Sequence, residues 1–201
     1  DGTCEINRKG MERLAAWSKL APIAIYGYLD YRYMESPGCY FHSDADFYRT
    51  VHRKGVRFVS DEWDTTHLAS PLLLNLRARL LWDVNTKVDD FIDGFTRLVY
   101  GPAASAVKDF FLDLERAVEQ APSKHVSFND LGKFTPEVLK RAHLHLDQAE
   151  QVAGAEESLL ARLARLRISL KYTEVCKLSE RVEKEPELYV DVGRLKTEVD
   201  S

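Results

Sequence analysis

The stretch Val56 to Trp63, VRFVSDEW, decides how the rest of the chain is read. Its β-branched and aromatic residues predict a short buried strand, Val56 to Ser60, that runs out into Asp61, Glu62 and Trp63. Carboxylates beside an aromatic, at the carboxyl end of a parallel strand, are where an α/β barrel keeps its chemistry. Working outward, Gly55 closes a helix that reaches about Lys54 and that Ser43 or Asp44 can cap. A loop from Tyr31 to Ser43, with Ser36-Pro37-Gly38 as its turn, precedes that helix. Before the loop, Ile23 to Leu29 (IAIYGYL) predicts another strand. Alternation puts Ile23, Ile25 and Gly27 on an apolar face and Ala24, Tyr26, Tyr28 and Asp30 on the other. Asn7 to Leu20 is an amphipathic helix, stopped by Pro22. Two strands joined through a helix predict a parallel βαβ unit. Two strands cannot close a barrel or protect both sheet edges, so this order predicts partner strands upstream.

Downstream, the pattern is helical. Leu68 to Trp82 carries leucines nearly all round, which predicts a buried helix with Pro71 in its first turn and Trp82 in the core. Lys87 to Tyr100 follows a turn at Asp83-Val84-Asn85-Thr86, with Val88, Phe91, Ile92, Phe95, Leu98 and Val99 on one face. Gly101-Pro102 interrupts the chain, and Ala103 to Gln120 resumes it with Val107, Phe110, Phe111, Leu114 and Val118. A polar connection from Ala121 to Phe134 leads to Thr135-Pro136-Glu137, an N-cap with proline at the first helical position. That helix runs to about Val152, and Gly154 parts it from another over Ala155 to about Lys184, predicting an antiparallel hairpin. Its second arm has Leu159, Leu160, Leu163, Leu166, Ile168 and Leu170 as its stripe, and a last, fraying helix is expected beyond Pro186.

The 201 residues carry a net charge of -4, which gives no broad electrostatic reason to hold nucleic acid. The basic residues from Arg162 to Lys171 alternate with leucines and form the outer face of a helix. No apolar run reaches the roughly 18 residues that a membrane span needs. Cys4, Cys39 and Cys176 are scattered, fit neither a disulfide framework nor a zinc spacing, and read as buried or idle thiols. The chain opens at Asp1 in DGTCEIN without a starting methionine, as an interior piece of a longer protein would. His42-Ser43-Asp44-Ala45-Asp46 has metal-ligating residue types but no second ligand group at a known spacing, so it reads as a helix cap. His143 and Asp147 share a helix face and read as a solvated ion pair. No phosphate loop or nucleophile elbow occurs, and no metal or cofactor is expected.

Several segments together resemble one family. LLWDVNTKVDDFIDGFTRLVYGPAA, Leu80 to Ala104, is similar to a WD-containing helical signature of the bacterial domain of unknown function 4838 family, itself similar to glycoside hydrolases. Cys4 and Asn7 before a helix carrying Trp17, IYGYLDY from Ile25 to Tyr31, and DFYRTVHRKGVRFVSDEW from Asp46 to Trp63 follow the same family pattern, over roughly residues 1 to 120. Val84 stands where the family has proline, and Arg57, Phe58 and Ser60 also depart from it. The resemblance implies the last βα units of a (β/α)8 (TIM) barrel over residues 1–82, then an α-helical domain over 83–201 with its hairpin at 135–184. It also implies a polysaccharide or oligosaccharide substrate, N-terminal barrel strands elsewhere in the same protein, and a periplasmic or secreted location.

The expected chemistry rests on Asp30, Asp61 and Glu62. Glycoside hydrolysis uses two carboxyl groups, about 5–5.5 Å apart in retaining and about 6.5–9.5 Å apart in inverting enzymes. Alternation prevents Asp61 and Glu62 from both pointing inward unless the strand has ended, and Glu62 has the longer reach. The competing role for these acids is to cap the next helix or pair with Arg57, Arg32 or Lys54. Tyr26, Tyr28, Tyr31 and Trp63 offer rings for a sugar's C–H face, or else pack in the core. At this length, without the other strands, the chain is expected to be inactive. The rival reading is a non-catalytic module, either a helical one that binds a partner through the long hairpin or a carbohydrate-binding one.

Overall fold

The computed structural model describes residues 5–28, 36–62, 71–121 and 131–184. The elements are α1 (Glu5–Trp17), β1 (Ile23–Tyr28), α2 (Phe41–Arg53), β2 (Val56–Glu62), α3 (Pro71–Trp82), α4 (Val88–Tyr100), α5 (Ala104–Glu119), α6 (Pro136–Ala153) and α7 (Glu157–Lys184). Short 3-10 turns lie at Gly101–Ala103 and Leu131–Lys133.

The fold is mostly helical, and β1 and β2 form a two-stranded parallel sheet. This overturns the barrel expectation. A (β/α)8 barrel repeats its βα unit around a closed sheet. Among the described residues the βαβ step occurs once, and those after β2 are helical. The local signal for parallel strands is genuine, but one βαβ unit satisfies it, and two strands cannot close.

Gly55 makes the step from α2 into β2. Its φ of +96° is open to glycine and strained for other residues, and a Cβ there would lie 2.9 Å from that of Ser18. The register then aligns Ile25 with Val59, Tyr26 with Ser60, Gly27 with Asp61 and Tyr28 with Glu62, after an irregularity between Ile23 and Ala24. Ile23, Ile25 and Val59 are half-buried and Val56 is buried, so one face of the sheet leans on the helices. Ala24, Tyr26, Phe58 and Ser60 are exposed on the other.

The helices share a continuous apolar core. Phe41 of α2 meets Phe111 of α5 edge to face at 5.9 Å, and Leu72, Leu76 and Leu80 of α3 pack into the same cluster. Fully burying each such side chain stabilises by roughly 1.5–3 kcal/mol. In α7 the buried stripe is Leu159, Leu163, Leu166 and Leu170, whereas Leu160 is half-buried and Ile168 exposed. Thr135 caps α6 as predicted, its hydroxyl accepting from the Val138 N–H at 3.3 Å. Ala142, Ala149 and Ala153 are buried along α6, where small side chains allow neighbouring helices to approach.

Three local expectations fail. Trp82 is not in the core but 85% exposed, because a helix with leucine on every side gives no indication of which way its last turn faces. Leu98 is also turned out to solvent. The connection before α6 is not simply polar, since Leu131 and Phe134 are fully buried in it.

Candidate functional site

The carboxyl ends of β1 and β2 lie side by side and point the same way. Positions 28 and 62 are partners in the ladder, as are 27 and 61. Adjacent strands run about 4.8 Å apart. The backbone at Tyr28, Asp61 and Glu62 is placed by this register. Asp30, Tyr31 and Trp63 lie outside the described residues. Tyr26 is 54% exposed on the open face and is not core. Arg57, one proposed partner for the acids, donates from Nη1 to the carbonyls of His52 (3.2 Å) and Val56 (3.0 Å).

The sequence does not reveal where polar chemistry is most concentrated. Helix α2 begins at Phe41, earlier than expected, and neither Ser43 nor Asp44 is its N-cap; the N-cap residue, Tyr40, makes no side-chain cap bond. The first turn is satisfied from α5 instead. Glu115 accepts the His42 N–H at 2.8 Å through Oε1 and meets His42 Nδ1 at 2.8 Å through Oε2. On the far side, His42 Nε2 lies 3.4 Å from Asp89 at the start of α4. Burial opposes the imidazolium, yet the two carboxylates outweigh it and raise the His42 pKa. Burial likewise pushes the Glu115 carboxyl up, against the hydrogen bonds from His42 that would lower it. The available signal was Glu115 itself, four residues after Phe111 on the apolar face of α5, where a carboxylate must find a partner.

Asp44 is taken up by Arg77 of α3 in a buried ion pair, and Arg49 donates to the carbonyls of Val84 (3.2 Å) and Thr86 (2.8 Å). Lys133 is buried, donates to the Tyr40 hydroxyl, and sits 4.8 Å from the Tyr40 ring centre and 5.3 Å from that of Phe134.

In the hairpin, Arg167 of α7 bonds Glu150 and Asp147 and lies 2.9 Å from His143 Nδ1. A guanidinium can only donate, so Nδ1 accepts and Nε2–H donates to Glu174 at 2.7 Å. His143 and Asp147 are therefore joined through Arg167 across the hairpin and do not form the simple pair expected along α6. Burial works to raise the Glu174 carboxyl, but hydrogen bonds from His143 and Lys171 bring it below its usual value.

Comparison with protein-family models, with curated proteins and with solved structures finds no match.

Among the described residues, no group of three or more His, Cys, Asp or Glu side chains is placed to hold a metal ion. Nor is any helix there long and apolar enough to cross a membrane. The His42 and Arg167 networks join helix to helix, which is the geometry of clamps. The open sheet face with its strand ends takes part in neither network.

Proposed function

We propose that the chain is part of a glycoside hydrolase acting on a polysaccharide or oligosaccharide. In this reading it contributes carboxylates from the ends of β1 and β2, Asp30, Asp61 and Glu62, with Glu62 as the foremost acid–base candidate. Tyr26 and Tyr28, with Tyr31 and Trp63 beyond the strand ends, supply rings for the sugar. The chain alone is not expected to turn over substrate. The observation that carries the proposal is the parallel register, with Tyr28 beside Glu62 and Gly27 beside Asp61 at one end of the sheet. The exposure of Tyr26 on the adjoining face supports it. Calorimetric titration with neutral and acidic oligosaccharides, alongside a reducing-sugar assay, tests it. Binding that Tyr26→Ala abolishes, without turnover, is the expected result. If no oligosaccharide binds at all, the proposal fails, and robust hydrolysis would refute the expected inactivity.

The second reading, a helical interaction module, draws on α7. Ile168, Val175 and Leu178 are all exposed there, at spacings that place them along one side of the helix. A partner held by that stripe would be lost on Val175→Asp, while sugar binding would be unchanged.

A further inference from the structure

Helix α7 carries two seams. Leu159, Leu163, Leu166, Leu170 and Thr173 are buried and face the rest of the fold. Ala161, Ala164, Ile168, Lys171, Val175 and Leu178 are all exposed on the other side. Their steps alternate between three and four residues, as the a and d positions of a coiled coil do, with 161, 168 and 175 as a and 164, 171 and 178 as d. A helix side meant for solvent carries polar and charged residues, and of these six only Lys171 is polar.

From this outer seam we infer that the chain forms a symmetric dimer through α7, its occupant being the α7 of a second copy, running antiparallel. The seam is complementary to its own reverse. In one register every a position meets a d position: Ala161 faces Leu178 of the second copy, Ala164 faces Val175, and Ile168 faces Lys171. Each layer occurs twice, about a two-fold axis level with Ser169 and Leu170. Small side chains thus meet large ones, which is what dense packing requires. Lys171 lays its stem along Ile168 of the second copy, while its ammonium keeps Glu174 of its own helix at 3.3 Å. A parallel pairing would set alanine against alanine and Lys171 against Lys171, leaving voids and a like-charge layer. The flanking charges select the same register. Arg167 and Glu174 bond to α6, yet part of each stays in solvent. The antiparallel register brings Arg167 level with Glu174 of the second copy, twice. Sliding by one heptad brings Arg167 level with Arg167 in one direction and Glu174 level with Glu174 in the other, and such flanking pairs set partner and orientation. This names the partner in the interaction reading of α7 and rests on that reading; it does not depend on the glycan proposal.

Sedimentation velocity and disulfide trapping test the dimer and its register. At about 100 μM, which populates even a weak specific complex, the wild type should dimerise. Val175→Asp should weaken the dimer by roughly tenfold or more, with circular dichroism reporting an unchanged fold. Lys171→Leu should tighten it by about tenfold, because a lysine in a seam specifies register at a cost in stability. For trapping, Ala164→Cys and Val175→Cys are each made in a Cys4→Ser/Cys176→Ser background, leaving Cys39 in the core. An equimolar mixture should crosslink under mild oxidation. Neither variant should crosslink alone, since antiparallel copies hold residue 164 and its own mate about 16 Å apart along the axis, beyond disulfide reach. Crosslinking of either variant alone overturns the antiparallel register, and a dimer indifferent to Val175→Asp overturns α7 as its interface. A monomeric wild type overturns the second copy as occupant. In that case ready alkylation of the Val175→Cys thiol leaves the seam open to a different partner, whereas a protected thiol shows it covered within the chain and ends the interaction reading as well.

Discussion

Glu115 on α5 holds His42 on α2 twice, at 2.8 Å to its backbone N–H and at 2.8 Å to its imidazole. One carboxylate therefore acts as helix cap and as charge partner, joining elements that are 73 residues apart in the chain. Replacing it with alanine leaves a helix-terminal N–H and a ring nitrogen without their acceptor. Glu115→Ala should cost about 2 kcal/mol of stability, read by urea denaturation. Glu115→Gln, which can still accept from the N–H, should cost less.

The same contact makes stability depend on pH. The folded His42 pKa is raised by Glu115 and Asp89 despite burial, so its contribution is complete below the ordinary imidazole value, about 6.5. It is lost as pH rises through the folded value. Glu115, raised by burial, adds a slope of the same sign at more acid pH, because the folded chain again holds the proton more firmly than the unfolded one. Urea midpoints measured from about pH 6 to about pH 8 should fall, and His42→Asn should flatten that decline. A midpoint that climbs across this range would contradict the assignment.

Asp44 and Arg77 form a buried pair between α2 and α3. Removing one member strands the other's charge. Asp44→Ala should cost roughly 3 kcal/mol or more, whereas the double change Asp44→Leu/Arg77→Met should recover most of that loss. A double-mutant cycle by thermal or urea denaturation gives the coupling directly.

At Gly55 backbone and packing both exclude a side chain. Gly55→Ala meets a φ of +96° and a Cβ contact of 2.9 Å to Ser18. It should destabilise by about 2 kcal/mol, and the loss should be partly relieved in a Ser18→Gly background, which removes the contact but not the strain.

In the hairpin, Leu163 is wholly buried between α7 and its neighbours. Leu163→Ala should cost about 2–5 kcal/mol through the cavity it opens. Ile168→Ala, on the solvent side of the same helix, should cost far less, and the contrast tests which stripe faces inward.

The elements were legible where local chemistry decides them. Thr135-Pro136 announces the start of α6, Gly154 its end, and the strand at 56 follows from β-branched content. The two sheet faces also match the alternation read from Ile23 to Asp30, as far as Tyr26 and Gly27 carry it. What could not be read was anything fixed by distant residues. The start of α2 depends on Glu115, and Asp44 is drawn away from capping by Arg77. The size of the sheet was likewise out of local reach, since a βαβ signature looks the same in a pair of strands as in a ring of eight. Of the candidate site, parallel strand ends were foreseen and are present, but Asp30, Tyr31 and Trp63 lie outside the described residues.

Cys39 is wholly enclosed in the core beside the start of α2, and burial raises its thiol far above the usual range. Cys176 on α7 is only half-buried. The two sulfurs thus carry a built-in stopwatch. An alkylating reagent should consume Cys176 early, while modification of Cys39 waits for the helices around it to part, so its rate times how often the folded chain opens.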